Sequence, residues 1–161
     1  MASQGTVVAV CLRPDTGVPK YPQREVVVGQ LGIDGDFHAG PINKHKKTGP
    51  LESNRRQVTI VARESLDAVS KRLGIVLGPG ALGENVLVGG LGDLSGLVEG
   101  DTLLVGGHVA LRVTGQNRPC ATLAVYHKDI VAAFTGIRGV TAVVVSPGVV
   151  KPGDSVRLQG Q

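Results

Sequence analysis

The sequence predicts a mainly β fold, a closed or nearly closed β-barrel that carries one or two short helices. Valine is unusually common among the apolar residues, and β-branched side chains pack well on a pleated sheet. The 24 glycines and 9 prolines are spread along the 161 residues, which indicates many turns between short elements. At least seven short apolar segments follow one another, and closing them into a barrel would remove the exposed strand edges.

The predicted strands are short apolar runs bounded by glycine, proline or polar turn residues. The first of them, residues 6–12, reads TVVAVCL and is typical of a buried strand. Residues 101–105 and 109–114 are expected to form a hairpin around Gly106 and Gly107. The full set of predicted strands is residues 6–12, 24–31, 57–61, 85–88, 101–105, 109–114, 139–146 and 154–158.

Two segments have the spacing of apolar residues that is typical of a helix. In residues 62–73 the apolar side chains recur at helical intervals, and Gly74 follows as a stop signal. A second helix is predicted after Asn117 or Arg118 as N-cap, with Pro119 in the first turn, where its missing N–H costs little. The apolar stripe of this second helix consists of Leu123, Tyr126, Ile130 and Phe134.

The remaining segments are rich in turn residues. Residues 32–56 form a long connection with a basic cluster at 44–47; it should lie on the surface, and at this length it is usually functional or disordered. Residues 78–83 (GPGALG) match the pattern GxGxxG, but a strand follows them rather than a helix. Dinucleotide binding is therefore rejected. Residues 13–22 and 147–153 are predicted as further loops.

Composition and charge narrow the class of protein. No apolar run reaches the ~20 residues that a membrane helix needs, and no secretory signal is visible, so we expect a cytoplasmic protein without a membrane partner. Four aromatic residues are too few for base stacking, which makes nucleic acid an improbable partner. The formal net charge of +4 favours an anionic small molecule.

Cys120 is the most informative single residue. If a helix begins just before it, the thiol lies in the first turn, where the helix dipole favours the thiolate. Arg118 would add positive charge, and a thiolate is the species that attacks sulfur or carries a persulfide. The alternative is a buried, inert cysteine at the start of the helix. Cys11 lies inside an apolar strand and is expected to act as a small hydrophobic residue.

His38 lies in a glycine-rich segment, residues 35–40, which would let the backbone approach a ligand closely. Asp36 could orient the imidazole, and a simple tight turn is the alternative. These two residues alone do not predict a metal site, because no third ligand has suitable spacing.

Three further residues are candidates for a pocket. Arg56 directly precedes a buried strand, and its guanidinium can hold an oxyanion through two contacts. Glu84 and Asn85 could place a carboxylate and an amide at the entrance of another strand, with turn chemistry as the alternative. The basic cluster at 44–47 could collect phosphate, but a solvated loop is the preferred explanation for its lysines.

Six short motifs occur in a fixed order along the chain. They are Gly32-x-x-Gly35-Asp36-x-His38-Ala39-Gly40, Arg56-Gln57-Val58, Pro79-Gly80-Ala81-Leu82-Gly83-Glu84-Asn85, Gly100-Asp101, Arg118-Pro119-Cys120 and Pro152-Gly153-Asp154. This ordered set resembles the MOSC domain, the C-terminal domain of molybdenum cofactor sulfurases, in its small stand-alone form. The resemblance covers residues 7–158, nearly the whole chain.

The resemblance implies a strand-rich β-barrel that handles sulfur for metal–sulfur centres, notably the molybdenum cofactor. In that family a single cysteine is taken to carry sulfur as a persulfide, and this role maps onto Cys120. The residues that the resemblance and the pocket arguments place around a cofactor are Asp36, His38, Arg56, Glu84, Asn85, Asn117 and Arg118.

The implied ligand or substrate is molybdopterin or a related phosphorylated pterin. The implied partners are a cysteine desulfurase and molybdoenzymes. Full-length sulfurases carry a pyridoxal-phosphate desulfurase domain ahead of this one, and no such domain is expected in a chain of 161 residues. Larger relatives have His-Gly-Gly where this chain has His38-Ala39-Gly40, so the choice of substrate does not follow from the resemblance.

We therefore expect a single domain over residues 1–161 that acts as a sulfur carrier or sulfurtransferase-type protein, with Cys120 as the persulfide carrier. One alternative is a non-catalytic cofactor-binding or interaction module in which Cys120 is structural. Another is a weak polyanion binder that uses residues 44–47, whose affinity would fall steeply with added salt.

Overall fold

The computed structural model describes residues 4–160. The prediction that the chain lacks a secretory signal was based on the N-terminal segment, and residues 1–3 of that segment lie outside the described range. The strands are β1 (Gln4–Leu12), β2 (Tyr21–Gln23), β3 (Val26–Gly29), β4 (Gly32–Ile33), β5 (Val58–Ala62), β6 (Val86–Gly89), β7 (Thr102–Val105), β8 (Val109–Gln116), β9 (Val140–Ser146), β10 (Gly148–Val150) and β11 (Ser155–Leu158). The helices are α1 (Arg63–Leu73), a 3-10 helix (Ala121–Val125) and α2 (Ile130–Ala133).

Seven of these strands form a closed barrel in the order β11-β7-β8-β9-β5-β6-β1, and β1 pairs with β11 to complete the ring. Neighbouring strands are antiparallel except for β5 and β6, a parallel pair connected through α1. At the closure Gln4 lies opposite Arg157 and Thr6 opposite Ser155, so neither strand edge is left unpaired there. The predicted closed barrel is confirmed.

Two apolar clusters pack on the two faces of the barrel wall. Ile60 belongs to the larger cluster, which valine and leucine side chains dominate. Its neighbour Val61 belongs to a second cluster with Leu66 of α1 and Phe134 after α2. Successive side chains of a strand point to opposite faces, so β5 is covered on both sides. This explains why all five of its residues are buried and why its sequence, VTIVA, has little polar alternation.

A second, smaller sheet corrects the interpretation of residues 24–31. The strand there is shorter than predicted, and it pairs with β10 and β4 in a three-stranded antiparallel sheet instead of entering the barrel. β10 and β2 lie in segments predicted as loops. Strands this short carry no periodic signal, because only their pairing partners define them.

The two predicted helices differ in outcome. α1 begins and ends as expected, and Gly74 adopts the left-handed conformation that terminates it. The predicted second helix is wrong as a continuous element, because the chain leaves helical geometry at Asp129, between the 3-10 helix and α2. Its apolar stripe is nevertheless buried at Leu123, Ile130 and Phe134.

The predicted N-cap of that second helix is also corrected. Cys120, in extended geometry, is the residue that precedes the first helical turn, and no side chain caps it. Asn117 and Arg118 lie further back along the chain. Within residues 4–160 no helix is long and apolar enough to cross a bilayer.

Candidate functional site

A cleft of about 320 Å³ opens among segments that enter strands β5, β6 and β9 and the segment that leaves β8. Because these segments come from distant parts of the chain, the barrel assembles the cleft. Its lining residues are Thr16, Gly17, Val18, Lys20, His38, His45, Arg56, Thr59, Leu82, Gly83, Asn117, Arg118, Cys120, Thr122 and Arg138.

The cleft brings together five of the predicted site residues. These are His38, Arg56, Asn117, Arg118 and Cys120. None of the described lining residues is acidic, whereas several are cationic or can become so. The positive charge of this lining is what a pocket for an anion requires.

Cys120 is exposed at the edge of the cleft. Its Sγ lies 2.6 Å from the Oγ1 of Thr122. Partial burial raises the pKa of the Cys120 thiol, but hydrogen bonds from Thr122 and the nearby Arg138 guanidinium outweigh this, so that its net pKa is lowered. The thiolate is therefore favoured at this position.

The origin of this shift differs from the one the sequence suggested. A 3-10 helix of five residues has little macrodipole, and the cation that lowers the pKa is Arg138 rather than Arg118. Arg118 is exposed, and its carbonyl oxygen accepts a hydrogen bond of 2.6 Å from Nη1 of Arg138. Arg138 is thus held by the segment that carries the cysteine.

Two of the three arginines in the cleft lining, Arg56 and Arg138, have unused hydrogen-bonding capacity. Arg138 is 7% exposed and also donates from Nη2 to the Leu82 carbonyl at 3.1 Å, whereas Arg56 Nη2 donates to Asn117 Oδ1 at 3.3 Å. The Nε atoms of both arginines are buried without a partner among the described residues. Burial and the neighbouring Arg138 lower the pKa of Arg56, so an anion in the cleft would relieve both unfavourable effects.

A chain of hydrogen bonds runs from a buried carboxylate to the cleft. Lys20, 2% exposed, places its Nζ 2.7 Å from Oδ2 of Asp36 and 2.8 Å from Nδ1 of His38. The Nε2 of His38 lies 2.7 Å from the Nε2 of His45. Asp36 was expected to orient the His38 ring directly, but its Oδ2 is 3.7 Å from Nδ1, and Lys20 stands between them.

Asp36 does not line the cleft; it holds Lys20, which does. Its carboxylate also accepts hydrogen bonds from the backbone N–H groups of Arg13 and His38, both at 3.1 Å. Burial alone would raise the pKa of Asp36, but its bonds with His38 and Lys20 hold it well below the usual range. Asp36 therefore stays ionised behind the cleft wall.

Glu84 and Asn85 are not brought to the cleft. Glu84 is 1% exposed, and its two carboxylate oxygens accept the N–H groups of Gly80 (2.8 Å) and Leu82 (3.1 Å). Burial raises the pKa of Glu84 to about 7. Asn85 donates to the carbonyl of Cys11 and accepts from the backbone of Thr59, so both residues serve the turn chemistry considered above.

The GPGALG turn is a structural device next to the cleft. Gly80 has φ of +85°, and a Cβ at this position would collide with the carbonyl of Lys20. The backbone N–H of Lys20 donates to the carbonyl of Gly80 at 2.9 Å, so the backbones of the two segments are in close contact. The turn thereby holds Lys20 in place, and β6 follows it instead of a helix.

The basic cluster at residues 44–47 is largely engaged within the protein. Lys44 Nζ donates to the carbonyl of Phe37 at 2.7 Å and lies 5.1 Å from the centroid of its ring. Lys46 pairs with Glu52 at 3.2 Å. The member of the cluster that reaches the cleft is His45 rather than a lysine.

Four lining residues carried too little signal in the sequence to be singled out as ligand-binding groups: Lys20, His45, Thr122 and Arg138. Lys20 lies in a proline-rich loop, where no periodicity indicates burial. Arg138 lies two residues before the first residue of β9, just as Arg56 lies two residues before that of β5, and that parallel was the one available signal.

Comparison with known proteins supports these observations. The MOSC domain matches residues 34–157. The YuaD protein of Bacillus subtilis, named for metal–sulfur cluster biosynthesis, is 34% identical over 145 residues, which cover 79% of this chain and 76% of that protein.

Solved structures share the architecture. The crystal structure of YuaD from Bacillus subtilis has a TM-score of 0.86 at 27% identity, covering 96% of this chain and 95% of the other. YiiM from Geobacillus stearothermophilus (TM-score 0.72, 24% identity, 96% and 74% coverage) and from Escherichia coli (0.70, 21%, 99% and 71%) have the same fold. Together with the barrel and the ordered motifs, these matches establish that the chain belongs to the MOSC domain family.

Proposed function

We propose that this protein carries sulfur as a persulfide on Cys120 and binds an anionic, molybdopterin-like ligand in the adjacent cleft. One observation carries the proposal: an exposed cysteine with a lowered pKa opens onto a cleft whose charged lining is cationic. A nucleophilic thiolate and an anion site at the same opening are the two features that such a role requires.

The family and its relatives favour this role over other uses of a reactive thiol. YuaD, the relative with 34% identity, is named for metal–sulfur cluster biosynthesis. Membership of the MOSC family associates the chain with the molybdenum cofactor at the level of the family. A structural Cys120 is less well supported, because its side chain is exposed rather than packed.

The loading step is a thiol–persulfide exchange. The Cys120 thiolate attacks the terminal sulfur of a donor persulfide, such as one on a cysteine desulfurase. A new S–S bond forms at Cys120, the donor S–S bond breaks, and the donor cysteine leaves as a thiolate. The proton of the incoming sulfur can remain on it or pass to water, and no external oxidant is needed.

The cleft suits the phosphate group of a phosphorylated pterin. Arg56 and Arg138 both line the cleft, and a phosphate oxygen there could accept from the N–H groups of their guanidinium groups. Arg56, Arg138 and Lys20 would hold the anionic group, while Asn117 positions Arg56. When bound, the cofactor would supply the metal–sulfur centre that gains or loses a sulfur atom.

Intact-mass spectrometry tests the proposal. The protein is incubated with a cysteine desulfurase and cysteine, and we expect a gain of one sulfur atom that dithiothreitol removes. The gain should be lost in Cys120→Ser and kept in Cys11→Ala, a matched control for the other cysteine. If the Cys120→Ser protein gains sulfur equally, Cys120 is not the carrier and the reading as a non-catalytic module stands.

A further inference from the structure

The hydrogen-bond chain behind the cleft determines where protons sit. The ammonium of Lys20 can only donate, so Nδ1 of His38 must accept, at 2.8 Å. A neutral His38 then carries its proton on Nε2, which faces Nε2 of His45 at 2.7 Å. His45 must accept at that atom, and its own proton is on Nδ1.

This assignment makes His45 the end of the chain that can take up a proton. A second proton on His38 would have to go to Nδ1, where Lys20 already donates. A proton on Nε2 of His45 is sterically possible, but it would set two N–H groups against each other and end the contact with His38. The imidazolium of His45 would then be free to turn its N–H toward the cleft that it lines.

The charges around His45 oppose that protonation while the cleft holds no anion. Burial lowers its pKa to about 4, and the cationic Arg56, Lys47 and Lys20 act in the same direction. Asp36, the carboxylate of the hydrogen-bond chain, pairs with Lys20 on the far side of His38. An anion among these cations would reverse the local field and favour the imidazolium.

We infer that His45 takes up a proton when an anion enters the cleft, and that Lys20 is the positioning residue that reserves this role for His45 rather than His38. The proton comes from solvent and binds at Nε2 of His45. The inference rests on the proposed anion site and adds to it a coupling between ligand binding and pH. By linkage, acid pH should then strengthen anion binding and anions should favour protonation to the same extent.

Calorimetry with inorganic sulfate measures this coupling directly. Sulfate keeps its charge between pH 5.5 and 7.5, so a pH dependence of its affinity must come from the protein. Titrations in two buffers of different ionisation enthalpy give the number of protons taken up per sulfate bound. Each protein compared should also carry Cys120→Ser, so that the thiol does not contribute.

With His45 present, we expect sulfate affinity to rise about tenfold from pH 7.5 to 5.5, with up to one proton taken up. With His45→Gln added, the rise should fall below about twofold. Equal proton uptake in the His45→Gln protein, or binding without proton uptake, overturns the inference but leaves the anion site intact. Absence of sulfate binding at every pH instead overturns the proposed anion site.

A second measurement tests the role of Lys20, first in the unaltered protein and then in a Lys20 variant. Nitrogen-15 NMR of the histidine rings at pH 8 should show His38 protonated at Nε2 and His45 protonated at Nδ1. In Lys20→Met the constraint on Nδ1 of His38 is removed, and His38 should populate both tautomers. If His38 in the unaltered protein carries its proton on Nδ1, Lys20 does not position it and the inference fails.

Discussion

The two cysteines occupy regions of the barrel that treat the same side chain in opposite ways. Cys11 lies in β1, is completely buried among aliphatic residues, and burial together with Glu84 raises its pKa to about 12. Cys120 lies at the edge of the cleft, is exposed, and has a lowered pKa through Thr122 and Arg138, which outweigh burial. The pKa of a thiol is thus a property of its surroundings, and this chain holds two thiols whose pKa values shift in opposite directions.

The difference also concerns what surrounds each thiol. The wall around Cys11 is tightly packed, and Glu84 satisfies the backbone of the turn beside it. The cleft around Cys120 instead leaves the Nε atoms of Arg56 and Arg138 without partners. Satisfied polar groups stabilise a fold, whereas unsatisfied donors beside a nucleophile are typical of a place where a ligand binds.

The largest expected effect is the ratio of alkylation rates at the two cysteines. At pH 7.5 iodoacetamide should modify Cys120 roughly a thousandfold or more faster than Cys11, because Cys11 reacts only when the barrel opens. Peptide mapping by mass spectrometry measures both rates in one sample, and adding denaturant should equalise them. Similar rates in the native protein would mean that the wall does not protect Cys11.

Of the proposed substitutions, Gly80→Ala should destabilise the packed region around Cys11 most. The added Cβ would meet the Lys20 carbonyl, and φ of +85° is strained for alanine, so we expect a loss of about 3 kcal/mol in the free energy of unfolding. Gly78→Ala is the matched control, since nothing lies within 4 Å of a Cβ there, and its change should stay within about 0.5 kcal/mol. Urea denaturation measures both variants, and equal stabilities would refute the close approach at Gly80.

Glu84 should make the free energy of unfolding depend on pH. Burial raises its pKa from 4.5 in the unfolded chain to about 7, so the folded state binds the proton more tightly. This stabilisation is present below pH 4.5 and is lost as the pH rises through 7. Relative to Glu84→Gln, the protein should lose about 3 kcal/mol of unfolding free energy across that interval. Parallel stability curves for the two proteins would contradict the assignment.

Arg138→Gln should have a smaller effect, confined to the cleft. Removing the cation raises the pKa of Cys120, and alkylation at pH 7 should slow roughly tenfold. Arg118→Gln is the matched control; it removes an exposed charge and should slow the reaction less than about twofold. The rate measured from pH 5 to 9 gives the thiol pKa in each protein. A larger effect of Arg118→Gln would return the role to the residue that the sequence favoured.

Local patterns in the sequence predicted most of the fold. Residues 6–12 and 57–61 were recognised as strands because each is a continuous apolar run, and Gly74 marked the end of α1. The prediction of one continuous helix after Cys120 was wrong. The apolar spacing reflects the burial of Leu123 and Phe134, which does not require an unbroken helix. β10 was missed because three residues have no period to detect.

The candidate site was only partly predictable. Motifs identified Cys120, His38 and Arg56, each of which lies at the cleft. They also suggested Glu84, but its carboxylate accepts hydrogen bonds from the backbone of the turn at Gly80 and Leu82 and does not line the cleft. Lys20 carried no local sign of its place beside Asp36, since the two residues are 16 positions apart and meet only in the folded chain.

By itself the sequence determined the valine-rich strands and the turns that separate them, because backbone preference and alternation of apolar residues are local properties. Its motifs also singled out Cys120 as the candidate for the proposed sulfur carrier. The tertiary structure alone decided that the cation beside Cys120 is Arg138 and that Lys20 bonds both Asp36 and His38. Charges act over a few ångströms in space, and barrel closure brings residues within that range that lie far apart along the chain.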